Sequence, residues 1–266
     1  AGNITINATD FISSTNSQII TEALTSDGGK ISLKTPSLMI SDRGAINASV
    51  KTGKSTAGDI DIDVATLTLN NGGQITSSSG ERGTGGNIVI AASDYVKLHS
   101  GGILKSTTED GIAGNIQITT PQLELDDISI ISAQSLSTGQ AGKVNIQSDY
   151  SVSINNSEIN TASQKGQGGS ITINTHDLRL ENNGRINAKV IEGRAYTEPA
   201  KVNITTNTLT LNQGKIESST EGKSPAGEIT ITASEYVRLV GEYSGIFSLA
   251  EAKAGAIGSA GSISIQ

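Results

Sequence analysis

The chain of 266 residues contains no cysteine and no tryptophan, and aromatic residues make up only 3% of it. Without cysteine the chain cannot form a disulfide framework or a thiolate-ligated metal site, although this absence assigns no compartment. Proline is scarce, with 4 residues, so the 31 glycines do not indicate a collagen-like or linker-like chain. No run of 18 apolar residues occurs, and the sequence therefore predicts no membrane-spanning helix.

The chain also lacks a concentration of positive charge. Its formal net charge is -7, and charges of both signs are scattered along it. Nucleic-acid-binding proteins usually carry a basic face or stripe, so we expect no nucleic-acid partner. Ala1 opens directly on a repeat, and we expect that a leader was removed or that the chain is a segment of something longer.

The sequence does contain a six-residue motif that recurs ten times with small variations, from "AGNITI" near the start to "AGSISI" near the end. Steps of 27 to 34 residues separate the copies. A period between about 20 and 50 residues indicates a solenoid, a propeller or an array. The repeats start near residues 2, 29, 58, 86, 114, 142, 169, 200, 227 and 261.

Each repeat contains three short segments in which apolar or small residues alternate with other residues, and we call each such segment a pulse. Ile88 and Ile90 form a first pulse, Val96 and Leu98 a second, and a third pairs an apolar with a small residue. Alternation within each pulse is the period of a β-strand. The sequence therefore predicts an all-β chain, a right-handed parallel β-helix of about nine to ten coils. It has three short strands per coil, a repeat of roughly 28 residues and a single domain spanning residues 1–266.

The glycine that opens each repeat indicates a tight corner. Either a positive φ or a close approach of two backbones would favour glycine there. Ala200 replaces the glycine in one repeat, so the requirement is not absolute.

Two groups of residues are candidates for contact with a ligand or partner. The motifs "SDYV", "SDYS" and "SEYV" place Tyr95, Tyr150 and Tyr236 at one corner. These rings could form a glycan-binding patch, although packing over a sheet edge is the favoured interpretation. The second candidate is the long loop that holds Arg194, Tyr196 and Glu198, because variable loops of solenoids often carry binding residues.

Residues of catalytic type do not form a recognisable set. Asp59, Asp61 and Asp63 alternate along one strand and form a weak candidate for calcium binding, although a solvated acidic face is favoured. Neither a nucleophile motif, a phosphate loop nor a zinc motif occurs. We therefore expect no cofactor and no enzymatic activity.

The amino-acid sequence of the repeats is similar to that of the repeats in a known family. Segments such as "GGNIVIAASDYVKLHSGGILKSTTEDGIAG" and "AGEITITASEYVRLVGEYSGI" resemble the repeats of filamentous-haemagglutinin-like exoproteins, especially cyanobacterial ones. The resemblance covers essentially the whole chain. It implies a right-handed parallel β-helix, secretion through an outer-membrane partner, and a role in adhesion, coating or filament building. The asparagine-rich secretion domain of the family is not visible, so the chain resembles a stretch of the repetitive shaft.

The leading functional hypothesis is an extracellular structural or adhesive shaft on the cell surface of a Gram-negative-type bacterium. The alternative is a carbohydrate-active β-helix enzyme, such as a polysaccharide lyase or hydrolase, which would need clustered carboxylates. Because both terminal repeats expose a strand edge, we expect self-association end to end or side to side. A glycan or a cell-surface molecule is the other expected partner.

Overall fold

The computed structural model describes residues 1–192, 198–251 and 258–266. Within these ranges the chain forms 21 β-strands and no helix. The strands in chain order are β1 Ile4–Asn7, β2 Phe11–Thr15, β3 Gln18–Ala23, β4 Ile31–Ser41, β5 Ala45–Val50, β6 Ile60–Leu69, β7 Gln74–Ser79, β8 Ile88–Leu98, β9 Ile103–Thr108, β10 Ile116–Asp126, β11 Ile130–Ser135, β12 Lys143–Asn155, β13 Glu158–Ser163, β14 Ser170–Asn174, β15 Asp177–Glu181, β16 Arg185–Val190, β17 Lys201–Asn212, β18 Lys215–Thr220, β19 Glu228–Val240, β20 Gly245–Ala250 and β21 Ser262–Ile265.

Every strand pairs in parallel with its equivalent one repeat away. Ile60, for example, is paired with Ile31 on one side and with Ile88 on the other. We call each repeat a coil, numbered from the N-terminus, so that coil 3 begins at Gly58 and coil 5 at Gly114. The structure is a parallel β-solenoid of about nine turns, which confirms the predicted fold class.

The strands form two sheets, whereas the sequence predicted three separate strands per coil. In seven coils the first and second pulses join into one long strand, as in β10 and β12. The backbone stays extended through the bend, and a shift in register, such as that between Thr120 and Gln122, takes up the extra residue. We call the two halves of these strands the first face and the second face, and the nine-stranded sheet the third face.

The core is a set of apolar columns that run along the solenoid axis. Inward side chains such as Ile88, Ile116 and Val144 lie directly above one another and are almost completely buried. One continuous apolar cluster extends from Ile31 in coil 2 to Ile231 in coil 9. Since each coil covers the core of the next, the stability of a coil depends on its neighbours.

The corner glycines are explained by close backbone approach and not by a positive φ. A methyl group added to Gly114 would overlap the carbonyl oxygen of Gly86 in the preceding coil, and one on Gly142 would overlap that of Gly114. Neither glycine has a positive φ. Ala200 is tolerated because Gly168, next to the corner glycine Gly169 of coil 7, lacks a side chain where the Ala200 methyl group lies.

The small residue of the third strand also serves this corner. The hydroxyl of Ser106 donates a hydrogen bond to the carbonyl oxygen of Gly86 (2.9 Å) and accepts one from the backbone N–H of Gly114 (3.0 Å). Ser106 is fully buried, so these bonds satisfy a polar group that would otherwise be costly to bury. A larger side chain would displace the corner of the next coil.

The turn between the second and third faces uses left-handed backbone. Asn71 and Gly72 both have a positive φ, which is typical of a type I′ turn. In coil 5 the equivalent pair is Asp127 and Ile128, with φ values of 51° and 60°. A β-branched residue rarely adopts this conformation, so the turn at Ile128 is strained.

Candidate functional site

The outward side of the first face in coils 5 to 9 carries two adjacent columns of uncharged polar side chains. Alternate residues of each strand point outward, so one column passes through Asn145 and the next through Gln147. We call these ten residues the amide–hydroxyl array. The array consists of Gln117, Thr119, Asn145, Gln147, Thr172, Asn174, Asn203, Thr205, Thr230 and Thr232.

The strands beneath the array keep an unbroken register. Asn145 is paired with Thr172, and Thr172 with Asn203, without a bulge in this part of the sheet. Neighbouring members of a column are therefore separated by about 4.8 Å and the two columns by about 6.7 Å. The array is a regular grid on an even stretch of sheet.

The side chains of the array make no hydrogen bonds to the described part of the protein. Their amide and hydroxyl groups are exposed or half-buried, and each is free of a protein partner among residues 1–192, 198–251 and 258–266. By contrast, the column bordering the array uses its amides internally. The Asn87 side chain accepts a hydrogen bond from the backbone N–H of Asn115 (3.0 Å), and Asn115 accepts one from Lys143 (3.0 Å).

Coils 2 and 3 carry charged residues in and beside the same two columns: Asp61, Lys34 and Asp63 lie in them, and Lys30 lies in the bordering column. Lys34 pairs with Asp63 at 2.6 Å, and Lys30 pairs with Asp61. We call these four residues the ion-paired section. The hydrogen bond to Asp61, followed by Coulomb attraction, raises the pKa of the Lys30 amine, and the bond to Asp63 does the same for Lys34.

Coil 4 separates the two sections with Val89 and Ala91. Both lie in the outward columns, between the ion-paired section and the amide–hydroxyl array. A shallow depression of about 480 Å³ extends from Asn7 across the ion-paired section to these two residues.

The calcium candidate lies within the ion-paired section. Asp61 and Asp63 are each paired with a lysine, and Asp59 accepts a hydrogen bond from the backbone N–H of Asn87 (2.7 Å). Within the described residues no group of three histidine, aspartate or glutamate side chains is arranged to hold a metal ion. All three candidate carboxylates therefore have partners of their own.

The three tyrosines do not share one position. Gln122 is paired with Tyr95 on one side but with Ser151 on the other, so Tyr150 lies one residue earlier, in the bulge. Tyr150 therefore lies at the same bend as Tyr95 but outside its column, because the buried Val152 and not the shared "SDY" motif sets the register. Tyr95 and Tyr236 do occupy the same column, but five coils, or about 24 Å, separate them.

Tyr95 borders a depression of about 360 Å³ on the second face. Tyr95 is 39% exposed, and Gln122 and Ser151 of the next two coils also line the depression. Lys97 and Glu124 form an ion pair at 3.1 Å in the same depression, so this surface is charged where the amide–hydroxyl array is not.

The loop candidate falls mostly outside the described residues. Arg194 and Tyr196 are not described by the structure. Glu198 is exposed, and its carbonyl oxygen accepts a hydrogen bond from the backbone N–H of Gly168 (3.2 Å). This bond joins the end of the loop to the preceding coil.

The third face offers less accessible chemistry. Outward residues such as Thr107 and Ser132 are buried, and burial lowers the pKa of the Lys105 amine. Within the ranges the structure covers, no helix is long and apolar enough to cross a membrane.

Comparisons with known proteins found no significant match between this chain and any family model, curated protein or solved structure.

Sequence reasoning did not single out the amide–hydroxyl array. The outward positions of one column, including Asn145 and Thr172, can be read from the repeat. The second column, the missing partners and the separation from the ion-paired section depend on register and on hydrogen bonding. The signal that could have found the array is a change along the repeat: Lys34, Asp61 and Asp63 at outward positions of coils 2 and 3 give way to amides and hydroxyls from coil 5 onward.

Proposed function

We propose that the chain is part of the shaft of an extracellular structural or adhesive fibre or coat. Its place is the surface of a Gram-negative-type bacterium, with cyanobacteria as the hosts to which the resemblance points. The resemblance of the repeat sequences to those of filamentous-haemagglutinin-like exoproteins supports this proposal. The same resemblance supports secretion of the chain through an outer-membrane partner.

The observation that carries the proposal is the single apolar cluster from Ile31 to Ile231 beneath outward faces whose side chains change from coil to coil. Such a frame suits a shaft, because length is gained by adding coils and the exterior can vary without disturbing the core. The carboxylates Asp61 and Asp63, which an enzyme of the alternative class would need free, are occupied by lysines of the preceding coil.

Self-association is part of the proposal. At the terminal coils, residues in line with the buried columns are open to solvent: Leu239 is 46% exposed and Ile263 is 44% exposed. Covering them would remove apolar surface from water and pair the open strand edges. We propose that a second copy of the chain covers these positions end to end. Lateral association between shafts is the second arrangement.

Imaging the native cell surface tests the proposal. An antibody raised against this segment should decorate fibres or a coat in negative-stain or cryo-electron micrographs of intact cells. Label confined to the cell interior would contradict the proposal.

A second measurement separates the enzymatic alternative. The purified chain should release no unsaturated product or reducing ends from polygalacturonate or alginate. Turnover of either polysaccharide would favour the carbohydrate-active enzyme instead.

A further inference from the structure

We propose that the amide–hydroxyl array binds a neutral polysaccharide, laid along the solenoid axis on the first face of coils 5 to 9. This inference deepens the proposed adhesive role and rests on it, since it names the class of ligand that the shaft would hold.

The chemistry of the array fits sugar hydroxyl groups. Amide side chains such as Asn145 and Gln147 offer both donors and acceptors, and the threonine hydroxyls of Thr172 and Thr205 can act as either. A polysaccharide hydroxyl also donates and accepts, so each group of the array can exchange its water for a sugar. None of these groups has to abandon a bond within the described protein to do so.

Electrostatics selects a neutral chain over an acidic one. The array carries no charge over ten positions, in a protein whose formal net charge is -7. Residues of both positive and negative charge border the array. Lys201 pairs with Glu228 at 3.7 Å, and Lys143 lies on one border of the array while Asp149 lies on the opposite border. Among the described residues around the array, positive charge is not concentrated in a way that would attract a polyanion.

The dimensions of the array suit an extended polymer. Five coils span about 19 Å along the axis, with a donor or acceptor repeated every 4.8 Å or so. The even register keeps the groups in line, so successive sugars of one chain can meet successive coils. A single sugar would touch only a small part of this surface.

A second copy of the chain fits the array less well. The two columns over five coils cover about 300 Å², estimated from strand and residue spacings. A stable protein–protein interface usually buries about 800 Å² on each partner. The array alone is therefore too small for a stable dimer, whereas many weak contacts along a polysaccharide are sufficient for adhesion.

The test is affinity electrophoresis of the whole chain in native gels that contain a polysaccharide. Hydroxyethyl cellulose, galactomannan and yeast mannan serve as neutral probes, and alginate serves as the acidic probe. We expect retardation in at least one neutral gel and none in alginate.

The deciding variant carries Thr172→Val and Thr205→Val, which remove two hydroxyls from the array while retaining shape and strand preference. The matched control carries Thr68→Val and Thr210→Val, which make the same change at outward, half-buried positions of the second face. We expect the array variant to bind about tenfold more weakly and the control to bind like the native chain. Thermal unfolding followed by circular dichroism establishes that both variants remain folded.

Several outcomes would overturn the inference. These are no retardation in any neutral gel, retardation by alginate alone, or equal binding by the array variant and its control. A mobility that depends on protein concentration without polysaccharide, and that the array variant abolishes, would identify a second copy as the occupant. None of these results affects the surface labelling of native cells, so failure of this inference is distinguishable from failure of the proposed shaft.

Discussion

The first face of the solenoid has two sections that share an interior and differ in their exteriors. Beneath the ion-paired section of coils 2 and 3, Ile60 and Ile62 face inward, and beneath the amide–hydroxyl array Val144 and Ile146 occupy the same columns. All four are almost completely buried. Outside, lysine–aspartate pairs in one section give way to unpartnered amides and hydroxyls in the other.

This difference teaches that two separate requirements act on alternate residues of the same strand. Inward residues must stack on the neighbouring coil, so their size and apolar character recur. Outward residues meet water and one another, so they are free to vary and can carry function. We use four sets of substitutions to test this separation, from the largest expected effect to the smallest.

The largest effect should come from the buried columns, and it should be the same in both sections. Ile62→Ala and Ile146→Ala each leave a cavity in a packed core, so we expect each to lower the free energy of unfolding by about 3 to 4 kcal/mol. Urea denaturation of the two variants measures this. Thr119→Ala, an outward change in the array, is the control and should cost less than about 0.5 kcal/mol. A large loss of unfolding free energy for only one of the two variants would show that the two sections do not share one buried core.

The corner glycines should give the next largest effect. Gly58→Ala and Gly142→Ala each force a methyl group against the carbonyl oxygen of the preceding corner, and we expect losses of about 2 to 3 kcal/mol in both sections. The comparison variant is Ala200→Gly, at the corner that already holds a methyl group, with a loss of about 1 kcal/mol or less. Denaturation midpoints that do not move for Gly142→Ala would refute the close-approach explanation.

Relieving the strained turn between the second and third faces of coil 5 should stabilise the chain. Ile128→Asn places a residue that tolerates a positive φ at this position, and Ile128 is 64% exposed, so little packing is lost. We expect a gain of about 1 kcal/mol in thermal or urea unfolding. Ile128→Val keeps the β-branched side chain and should give no gain. A similar gain from valine would place the cause outside the backbone conformation.

The smallest effect should distinguish the two exteriors. Lys30→Met keeps the aliphatic stem but removes the pairing with Asp61, and an exposed ion pair contributes about 0.5 kcal/mol. Because this pairing raises the pKa of Lys30 above 10.5, its contribution is complete at neutral pH and is lost as the pH rises through the folded-state pKa. The loss should disappear in 1 M salt. Thr172→Val, its counterpart in the array, should be insensitive to salt.

The interior could be predicted almost completely from the sequence. The period, the alternation of Ile and Leu, and the small residue of the third strand all follow from stacking one coil on the next, and the solenoid confirms them. The corner glycine was predicted with two explanations, and the carbonyl oxygen of Gly86 beneath Gly114 selects between them. These features repeat, so every coil provides independent support for the same prediction.

The exterior was less predictable because it depends on contacts between coils. The pairing of Lys34 with Asp63 joins residues 29 positions apart, and the pattern within one coil does not specify it. The shared motif does not specify the column of Tyr150, because the register of Val152 places this tyrosine one residue earlier in the bend. The first and second strands join into one because the backbone stays extended through the bend, and the alternation of apolar residues alone does not show this.

The central claim is that the ion-paired section and the amide–hydroxyl array rest on the same backbone and buried core. Hydrogen–deuterium exchange of the backbone amides tests this claim most directly. Amides of β6, beneath the ion-paired section, and of β12, beneath the amide–hydroxyl array, take part in the same parallel ladder. The account predicts that their protection factors agree within about tenfold, and that Thr172→Val with Thr205→Val leaves both unchanged. Protection of β12 that is lower than that of β6 by several orders of magnitude would contradict it.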